Sequence, residues 1–187
     1  MRPKDRDRFP PRTVTLKDDR AVTLRPLTTD DTEALGDFYL SIERAAYRFY
    51  CPNPLTCKWS EKRTAAADEP TSVTLVAENN TGQIAGYAWY RWDEDKPEKP
   101  SLFGICIRKA YRGVALGQAL IAHLLEIAEE VGPPVMSLTV QKANARAFGL
   151  YSKMGFEVVR EQERGRVEEF PPEPEYYMEQ RIRDKSA

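Results

Sequence analysis

The chain has few cysteines and only one histidine. Its 187 residues contain Cys51, Cys57 and Cys106 as the only thiols and His123 as the only imidazole. An odd number of cysteines without Cys-x-x-Cys spacing is typical of free thiols, and it excludes a disulfide framework. A metal site built from Cys51, Cys57 and His123 is conceivable, but we favour free thiols and expect no metal.

Long apolar runs and an excess of one charge are also missing. No uninterrupted run approaches the ~20 apolar residues of a membrane span, and the N-terminal MRPKDRDRFPPR lacks the apolar core of a signal peptide. Lys and Arg total 28 and Asp and Glu total 29, so global charge gives no case for nucleic-acid binding. We therefore expect a cytoplasmic protein that needs neither a membrane nor a nucleic acid.

What the sequence does contain is enough apolar material for a core, with 41% hydrophobic residues. A length of 187 residues fits one domain with or without tails. Residues 1–12 are charged and proline-rich, so we predict a flexible tail there. Residues 13–187 are predicted to form a single domain.

Hydrophobic periodicity predicts a mixed α/β sheet. Two strands flank a turn at residues 79–82 and should pair as a hairpin. The later strand–helix–strand units need crossovers, and hence some parallel pairing. The predicted strands cover residues 14–16, 21–25, 73–78, 84–92, 102–107, 135–140, 156–160 and 176–182. One predicted helix begins at Thr28, and three others cover residues 60–67, 116–131 and 143–154.

A glycine-bearing turn, R-G-V-A-L-G from Arg112 to Gly117, follows a predicted strand and opens a predicted helix. A helix N-terminus has unpaired N–H groups and about half a positive charge, and small residues let a phosphate approach the backbone. A tight turn without a ligand explains this segment equally well when it is considered alone. The segment lacks the Lys-[Ser/Thr] ending of a nucleotide-triphosphate loop and the spacing of a dinucleotide fingerprint.

Gly104 lies inside a predicted strand, where glycine weakens a sheet unless a bulge or a close backbone approach requires it. A bulge at Gly104 would leave N–H and C=O groups facing an open groove. An extended ligand that contains amides could pair with such a strand edge.

Asn144, Ala147 and Tyr151 lie three and seven residues apart, so they share one face of a predicted helix that ends at Gly155. The small side chain of Ala147 leaves space above the middle of this face. Asn144 offers a hydrogen-bond donor and an acceptor, and Tyr151 offers a phenol. In isolation, a helix cap at Asn144 and a half-buried core aromatic at Tyr151 are the favoured interpretations.

Together the two segments resemble the GNAT family of N-acetyltransferases, which move an acyl group from coenzyme A to an amine. Ala115 replaces the first glycine of the family's phosphate pattern, [QR]-x-x-G-x-[GA], which residues 112–117 otherwise match. The resemblance covers about residues 14–182 and is most similar to bacterial protein-lysine acetyltransferases. The family's later pattern, N-x-x-A-x-x-L-Y-x-K-x-G-F, is matched at every defined position by Asn144, Ala147, Leu150, Tyr151, Lys153, Gly155 and Phe156.

The resemblance implies a mixed, mostly antiparallel central sheet with a splayed parallel pair, flanked by helices, and a single GNAT-like domain over residues 13–187. It implies acetyl-CoA as the acyl donor and Tyr151 as the catalytic residue near its sulfur. The implied acetyl-CoA-binding residues are Ile105, Cys106, Ile107, Arg112, Gly113, Val114, Ala115, Leu116, Gly117, Gln118, Asn144 and Tyr151.

The implied reaction is acyl transfer, with acetyl as the expected group, to a primary amine of a small molecule, a protein lysine or a protein N-terminus. An alkylamine with a pKa of about 10 is mostly protonated at pH 7, so its proton must be removed. The leaving thiolate, with a free-thiol pKa of about 8.5, could take a proton from the phenol of Tyr151. No cysteine has a spacing that argues for a covalent intermediate, so we expect direct attack in a ternary complex.

The general base and the acceptor site are left open by the sequence. Relatives among the protein-lysine enzymes tend to carry a glutamate where this chain has Leu102. Exposed glutamates are more often simply solvated, and the candidates are Glu78, Glu94 and Glu98. Acceptor recognition could come from the segment 44–58, with Tyr47, Arg48, Phe49 and Tyr50, or from the acidic Glu168, Glu169, Glu173 and Glu175.

Two other classes of protein remain as alternatives. A non-catalytic acyl-CoA-binding regulatory module would tolerate Leu102 at the position of the missing glutamate. A nucleotide-binding protein would use the turn at residues 112–117 for ATP or NAD. A homodimer is left open as an assembly.

Overall fold

The computed structural model describes residues 1, 3–49, 54–96, 98–167 and 170–183. Three short 3-10 helices, Thr29–Asp31, Arg44–Arg48 and Lys109–Tyr111, connect the longer elements. The strands are β1 (Arg12–Thr15), β2 (Ala21–Pro26), β3 (Ser72–Asn79), β4 (Ile84–Arg91), β5 (Ser101–Ile107), β6 (Val135–Gln141), β7 (Glu157–Arg164) and β8 (Glu173–Arg181). The α-helices are α1 (Pro3–Arg6), α2 (Thr32–Leu40), α3 (Cys57–Ala65), α4 (Leu116–Ala128) and α5 (Ala145–Lys153).

The described strands form one sheet in the order β1-β2-β3-β4-β5-β6-β8-β7. Neighbours pair in antiparallel fashion except β5 and β6, which are parallel and pair only at Ser101↔Met136 and Leu102↔Ser137. Beyond these positions the two strands separate. The predicted mixed sheet with a splayed parallel pair is therefore confirmed, as is the β3–β4 hairpin.

Helices cover both faces of the sheet. On one face α4 buries Leu120, Leu124 and Ile127 completely in the larger core cluster, against β3, β4 and β6. On the other face α2 buries Leu35 and Phe38 in a second cluster. Because β3 and β4 are covered on both sides, nearly all of their residues are buried, including the polar Ser72 and Thr74.

The first twelve residues differ from the flexible tail predicted for them. Met1 and Phe9 are buried in the larger core cluster, and Arg8 pairs with Glu130 after α4. The apolar side chains in this segment are few, which is why composition alone suggested a tail. The division of the chain at residue 12 remains a prediction.

The cysteines that the structure describes are free thiols, with Cys57 exposed and Cys106 buried. Cys51 lies outside the described residues. Within the described part of the chain, no group of three or more His, Cys, Asp or Glu side chains is placed to hold a metal ion. Over the same residues, no helix has the length and hydropathy needed to cross a bilayer.

Of the two explanations considered for Gly104, a bulge or a close approach, the structure does not show the bulge. The β4–β5 register runs past Gly104 without a shift and places it opposite Trp89. A Cβ at Gly104 would lie 2.5 Å from Cζ2 of Trp89. Glycine is therefore required here by an indole ring that packs directly on the strand, and not by an irregular backbone.

Replacing Gly104 with alanine should lower the free energy of unfolding by about 1–3 kcal/mol, because the buried indole would have to move. The matched control is Gly149→Ala on α5, where a new Cβ meets nothing within 4 Å. The control should be neutral or stabilising by up to ~1 kcal/mol, because alanine favours helix. Chemical denaturation measures both, and equal stability of the two variants would contradict this packing.

Candidate active site

A cavity of about 530 Å³ lies where β5 and β6 separate, bounded by the end of β5, the start of α4 and the face of α5. It is lined by Lys17, Glu43, Ala45, Ala46, Phe49, Ile105, Cys106, Ile107, Tyr111, Arg112, Gly113, Ala115, Gly117, Gln118, Asn144, Arg146, Ala147, Leu150 and Tyr151. The glycine-bearing turn and the Asn144–Tyr151 helix face, far apart in sequence, therefore meet in one space.

All of the residues predicted to bind acetyl-CoA line this cavity except Val114 and Leu116. Leu116 is fully buried in the core instead. The carbonyl of Val114 accepts a hydrogen bond of 3.1 Å from the N–H of Lys17, which ties the β1–β2 turn to this wall. The placement of these residues is thus known, and their roles remain predictions.

The edge of β5 presents backbone groups to the cavity. The N–H of Arg108 donates to the carbonyl of Ala85, before Gly86 on β4, at 3.0 Å. Because backbone groups alternate along a strand, Cys106 also faces β4, whereas Ile105 and Ile107 face the gap left by β6. The carbonyl of Ile107 accepts from Nε of Arg112 at 2.9 Å, so the edge at Ile105 is left for a ligand.

The turn before α4 is shaped for an anion. Gly113 and Ala115 both have positive φ, 88° and 71°. This turns the chain sharply, so that the first N–H groups of α4, which have no partner within the helix, face the cavity. Lys17, Arg112 and Arg146 line the same cavity and add positive charge. Lys17 and Arg146 were not predicted as site residues, because only the fold brings them to the turn.

Asn144 is both a helix cap and a cavity residue. Its side-chain oxygen accepts from the N–H of Ala147 at 3.3 Å and caps α5. This leaves the two amide hydrogens of its side chain for other partners. The structural and the functional interpretations of Asn144 are therefore compatible.

Tyr151 packs at the inner end of the cavity. Its ring makes edge contacts with Phe103 and Phe156, each at a centroid distance of 6.0 Å. Burial, with a smaller effect from the neighbouring Cys106 thiol, raises the pKa of the Tyr151 phenol. Among the described residues its hydroxyl has no hydrogen-bond partner. The phenol therefore keeps its proton at neutral pH and can donate it to a ligand.

Cys106 is a poor nucleophile despite its position in the wall. The side chain is 6% exposed. Burial raises the pKa of the Cys106 thiol to about 12, against a small opposing effect of Arg112. A thiol with this pKa is almost entirely protonated at pH 7, and only a thiolate attacks an acyl group efficiently.

The 3-10 helix Arg44–Arg48 and its flanks form one side of the cavity mouth, with Ala45, Ala46 and Phe49 in the wall. The carboxylate of Glu43 accepts from Nζ of Lys109 at 2.7 Å. At the other end, Nε of Arg48 donates to Glu173 on β8 at 2.6 Å. Two ion pairs, one to Lys109 after β5 and one to Glu173 on β8, therefore fix this segment across the opening between β5 and β6.

The described carboxylates of the acidic segment, which was considered as a site for a cationic acceptor, already have partners within the protein. Glu173 is ion-paired with Arg48 and lies 3.8 Å from Arg164. Glu175 is 4% exposed and accepts from Gln162 at 2.7 Å. Their availability to an acceptor is therefore low, whereas Glu168, Glu169 and Tyr50 lie outside the described residues.

The glutamates considered as bases are absent from the described cavity wall. Glu78 forms a 2.6 Å ion pair with Arg25. Glu94 and Glu98 are exposed on the loop between β4 and β5. Leu102 is 42% exposed on β5 and carries no ionisable group. The structure therefore does not support these three positions as the base.

Comparison with known proteins identifies the family. A family model described as the acetyltransferase (GNAT) family matches residues 36–156, which include the turn and the Asn144–Tyr151 face. A curated relative, the [ribosomal protein bS18]-alanine N-acetyltransferase of Escherichia coli K12, is 30% identical over 134 residues, covering 72% of this chain and 80% of the relative.

Solved structures share the fold. The GNAT domain of S. lividans PAT aligns with a TM-score of 0.76 at 22% identity, over 90% of this chain and 95% of that domain. The yncA protein of Salmonella typhimurium, solved with acetyl-CoA, aligns with a TM-score of 0.72 at 21% identity, over 89% of this chain and 96% of that one.

Ala115→Gly should stabilise the protein by about 0.5–1 kcal/mol. Alanine at φ 71° destabilises the folded state by about 1–2 kcal/mol, and glycine would remove this strain. The greater freedom of glycine in the unfolded chain opposes this gain by about 0.4–1 kcal/mol. The control Ala122→Gly, inside α4, should instead cost about 1 kcal/mol. Thermal unfolding compares the two, and a loss of stability in both would show that the turn carries no strain.

Proposed function

Because the chain belongs to the GNAT family of acetyltransferases, we propose that it transfers the acetyl group of acetyl-CoA to a primary amine. The observation that carries this proposal is the cavity at the splay, where an open strand edge, a helix N-terminus and a protonated phenol line one space. These three features match the amide, phosphate and thioester parts of one extended donor.

The residues present fit the donor from end to end. The N–H groups of residues 113–118 and the charges of Lys17, Arg112 and Arg146 would hold the pyrophosphate and the neighbouring phosphate. The backbone of Ile105 would pair with the amides of the pantetheine arm, as in strand addition. The side-chain amide of Asn144 would donate to the same arm.

The reaction requires the acyl carbon of the thioester to be held for the amine and the departing sulfur to receive a proton. Bound acetyl-CoA supplies an activated acyl group, and the cavity walls hold it in place for the amine. The Tyr151 hydroxyl would donate its proton to the departing sulfur, whose free-thiol pKa is about 8.5. The raised pKa of the phenol makes it a weak acid, but it keeps the proton in place until the sulfur becomes basic.

Direct attack by the amine is favoured over a covalent acyl-enzyme. Cys106 is the described thiol in the cavity wall, and its raised pKa of about 12 keeps it protonated. The other described cysteine, Cys57, lies at the start of α3 and does not line the cavity. A ternary complex of donor, acceptor and protein therefore fits the site best.

The acceptor class that we propose is a primary amine on a protein or a small molecule. The curated relative named above is a [ribosomal protein bS18]-alanine N-acetyltransferase, which supports testing protein N-termini. Free amino acids belong in the same test, because a further relative is named L-amino acid N-acetyltransferase AaaT, at 26% identity.

The function is tested by thiol release from acetyl-CoA with a panel of acceptors: N-terminal peptides, lysine peptides, polyamines and free amino acids. We expect release that depends on one class of acceptor and yields a product heavier by one acetyl group. Tight acetyl-CoA binding without release on any acceptor would favour the regulatory module instead. Competition by ATP or NAD at the turn would favour a nucleotide-binding protein.

Tyr151→Phe should lower kcat by about 10- to 100-fold, because the departing sulfur loses its proton donor, and should leave the Kd for acetyl-CoA nearly unchanged. Tyr90→Phe is the matched control, because it removes a buried hydroxyl that donates to Val131 outside the cavity, and its turnover should stay close to that of the native protein. Steady-state kinetics and calorimetry measure both quantities. Full turnover of Tyr151→Phe with saturating substrates would remove Tyr151 from the mechanism.

A further inference from the structure

The sheet face opposite α4 and α5 carries partly exposed side chains at the splay, which we call the groove (Leu102, Thr139, Tyr177 and Glu179). Leu102 on β5 pairs with Ser137 on β6, and Ser137 pairs with Glu179 on β8. Directly paired residues share a face, so these three side chains lie in one row across the sheet. Glu179 therefore lies on the same face as Leu102, two strands away, at a backbone distance of about 10 Å.

The next row on this face lies further along the opening between β5 and β6. It contains Thr139 on β6 and its partner Tyr177 on β8. Thr139 is exposed, and Tyr177 and Glu179 are partly exposed. Helices α2 and α3 cover β3 and β4 but not this part of the sheet, as the 42% exposure of Leu102 shows. The Arg44–Arg48 segment bridges the wide end of the gap on this face, so an amine would approach at the exposed Leu102 and Thr139.

Tyr177 and Glu179 form a hydrogen-bonded pair in the groove. The hydroxyl of Tyr177 donates to Oε1 of Glu179 at 2.7 Å. The guanidinium of Arg160 lies over the Tyr177 ring, 3.8 Å from its centroid, which fixes the ring. Burial, then the hydrogen bond to Glu179, raises the pKa of Tyr177, so the phenol stays protonated and keeps this link.

The charged surroundings of Glu179 can be read from the strands that pack around it. Across β7, Glu157 is its direct partner, and like charges in directly opposed positions destabilise a sheet. Positive groups on this face include Arg160 and Arg164 on β7, Arg181 on β8 and Arg91 on β4, which is the direct partner of Leu102. The partner of Glu179 on β6 is the neutral Ser137. A pair of opposed carboxylates next to an opening is a suitable environment for a cationic amine.

The other carboxylates near the opening are less suitable. Glu43 and Glu173 are held by Lys109 and Arg48, respectively. Glu175 is 4% exposed and hydrogen-bonded to Gln162. Glu179 does not line the cavity itself, but it combines partial exposure and a neutral hydrogen-bond partner with a place in the row of Leu102, where the splay begins.

We propose that Glu179, linked to the groove by Tyr177, accepts the proton of the acceptor amine. This inference rests on the proposed function and supplies the base that Leu102 does not provide. The ammonium gives one proton to the Tyr177 oxygen while the Tyr177 hydroxyl gives its own to Glu179. The freed nitrogen then forms the N–C bond, the C–S bond breaks, and the sulfur takes the proton of Tyr151. The second N–H proton leaves to water, and water returns one proton to the Tyr151 phenolate.

The test is Glu179→Gln in the full chain, assayed for thiol release against pH with the best acceptor of the native protein. At pH 7 we expect kcat/KM for the acceptor to fall about 100-fold, a typical contribution of a general base. The deficit should shrink about tenfold per pH unit toward the amine pKa of about 10, because free amine then needs no base. Glu179→Asp should recover part of the activity, and Tyr177→Phe should show the same pH-dependent loss.

Glu161→Gln is the matched control, because Glu161 lies on the neighbouring strand, on the opposite face, paired with Lys142. It should behave as the native protein. Melting temperature and acetyl-CoA affinity check that each variant is folded. Native-like activity of Glu179→Gln at pH 7, or a loss equal at all pH values, would overturn the role of Glu179 and leave the proposed function intact. No release by the native protein on any acceptor would overturn both.

Discussion

The separation of β5 and β6 is the constraint on which the site depends. The two strands share only two register positions, and beyond Leu102 the edge of β5 has no strand beside it. Unpaired backbone groups inside a protein are costly unless a ligand or water satisfies them. The ring contacts among Phe103, Tyr151 and Phe156 fill the base of the opening. The fold thus supports a gap whose edge remains available for pairing.

The gap can be reached from both faces of the sheet, one proposed for the acyl donor and the other for the acceptor amine. The glycine-bearing turn and α5 approach from the face that carries α4, so the proposed donor enters there. On the opposite face Leu102 and Thr139 are exposed at the gap, beside the Arg44–Arg48 segment that bridges its wide end. Donor and acceptor would therefore reach the reaction from different sides and need not compete for space. This separation is the geometric basis of direct transfer in a ternary complex.

The local patterns predicted much of this arrangement, because they follow from backbone geometry. The hairpin, the parallel pairing required by a crossover and the shared helix face of Asn144 and Tyr151 depend on periodicity and turn residues. Contacts between distant segments were beyond such patterns: the indole over Gly104, the position of Lys17 beside the turn, and the burial of Met1. Glu179 was also missed, since its place relative to Leu102 depends on the register of three strands.

Proton handling gives a physical reason for placing two tyrosines near one opening. Burial raises the pKa of both Tyr151 and Tyr177, so both phenols are neutral in the resting protein. The difference lies in their partners. Tyr177 donates to a carboxylate at 2.7 Å and can pass a proton toward it, whereas the Tyr151 hydroxyl has no described partner and can only donate to a ligand. The first phenol is thus suited to removing a proton from the amine and the second to supplying one to the sulfur.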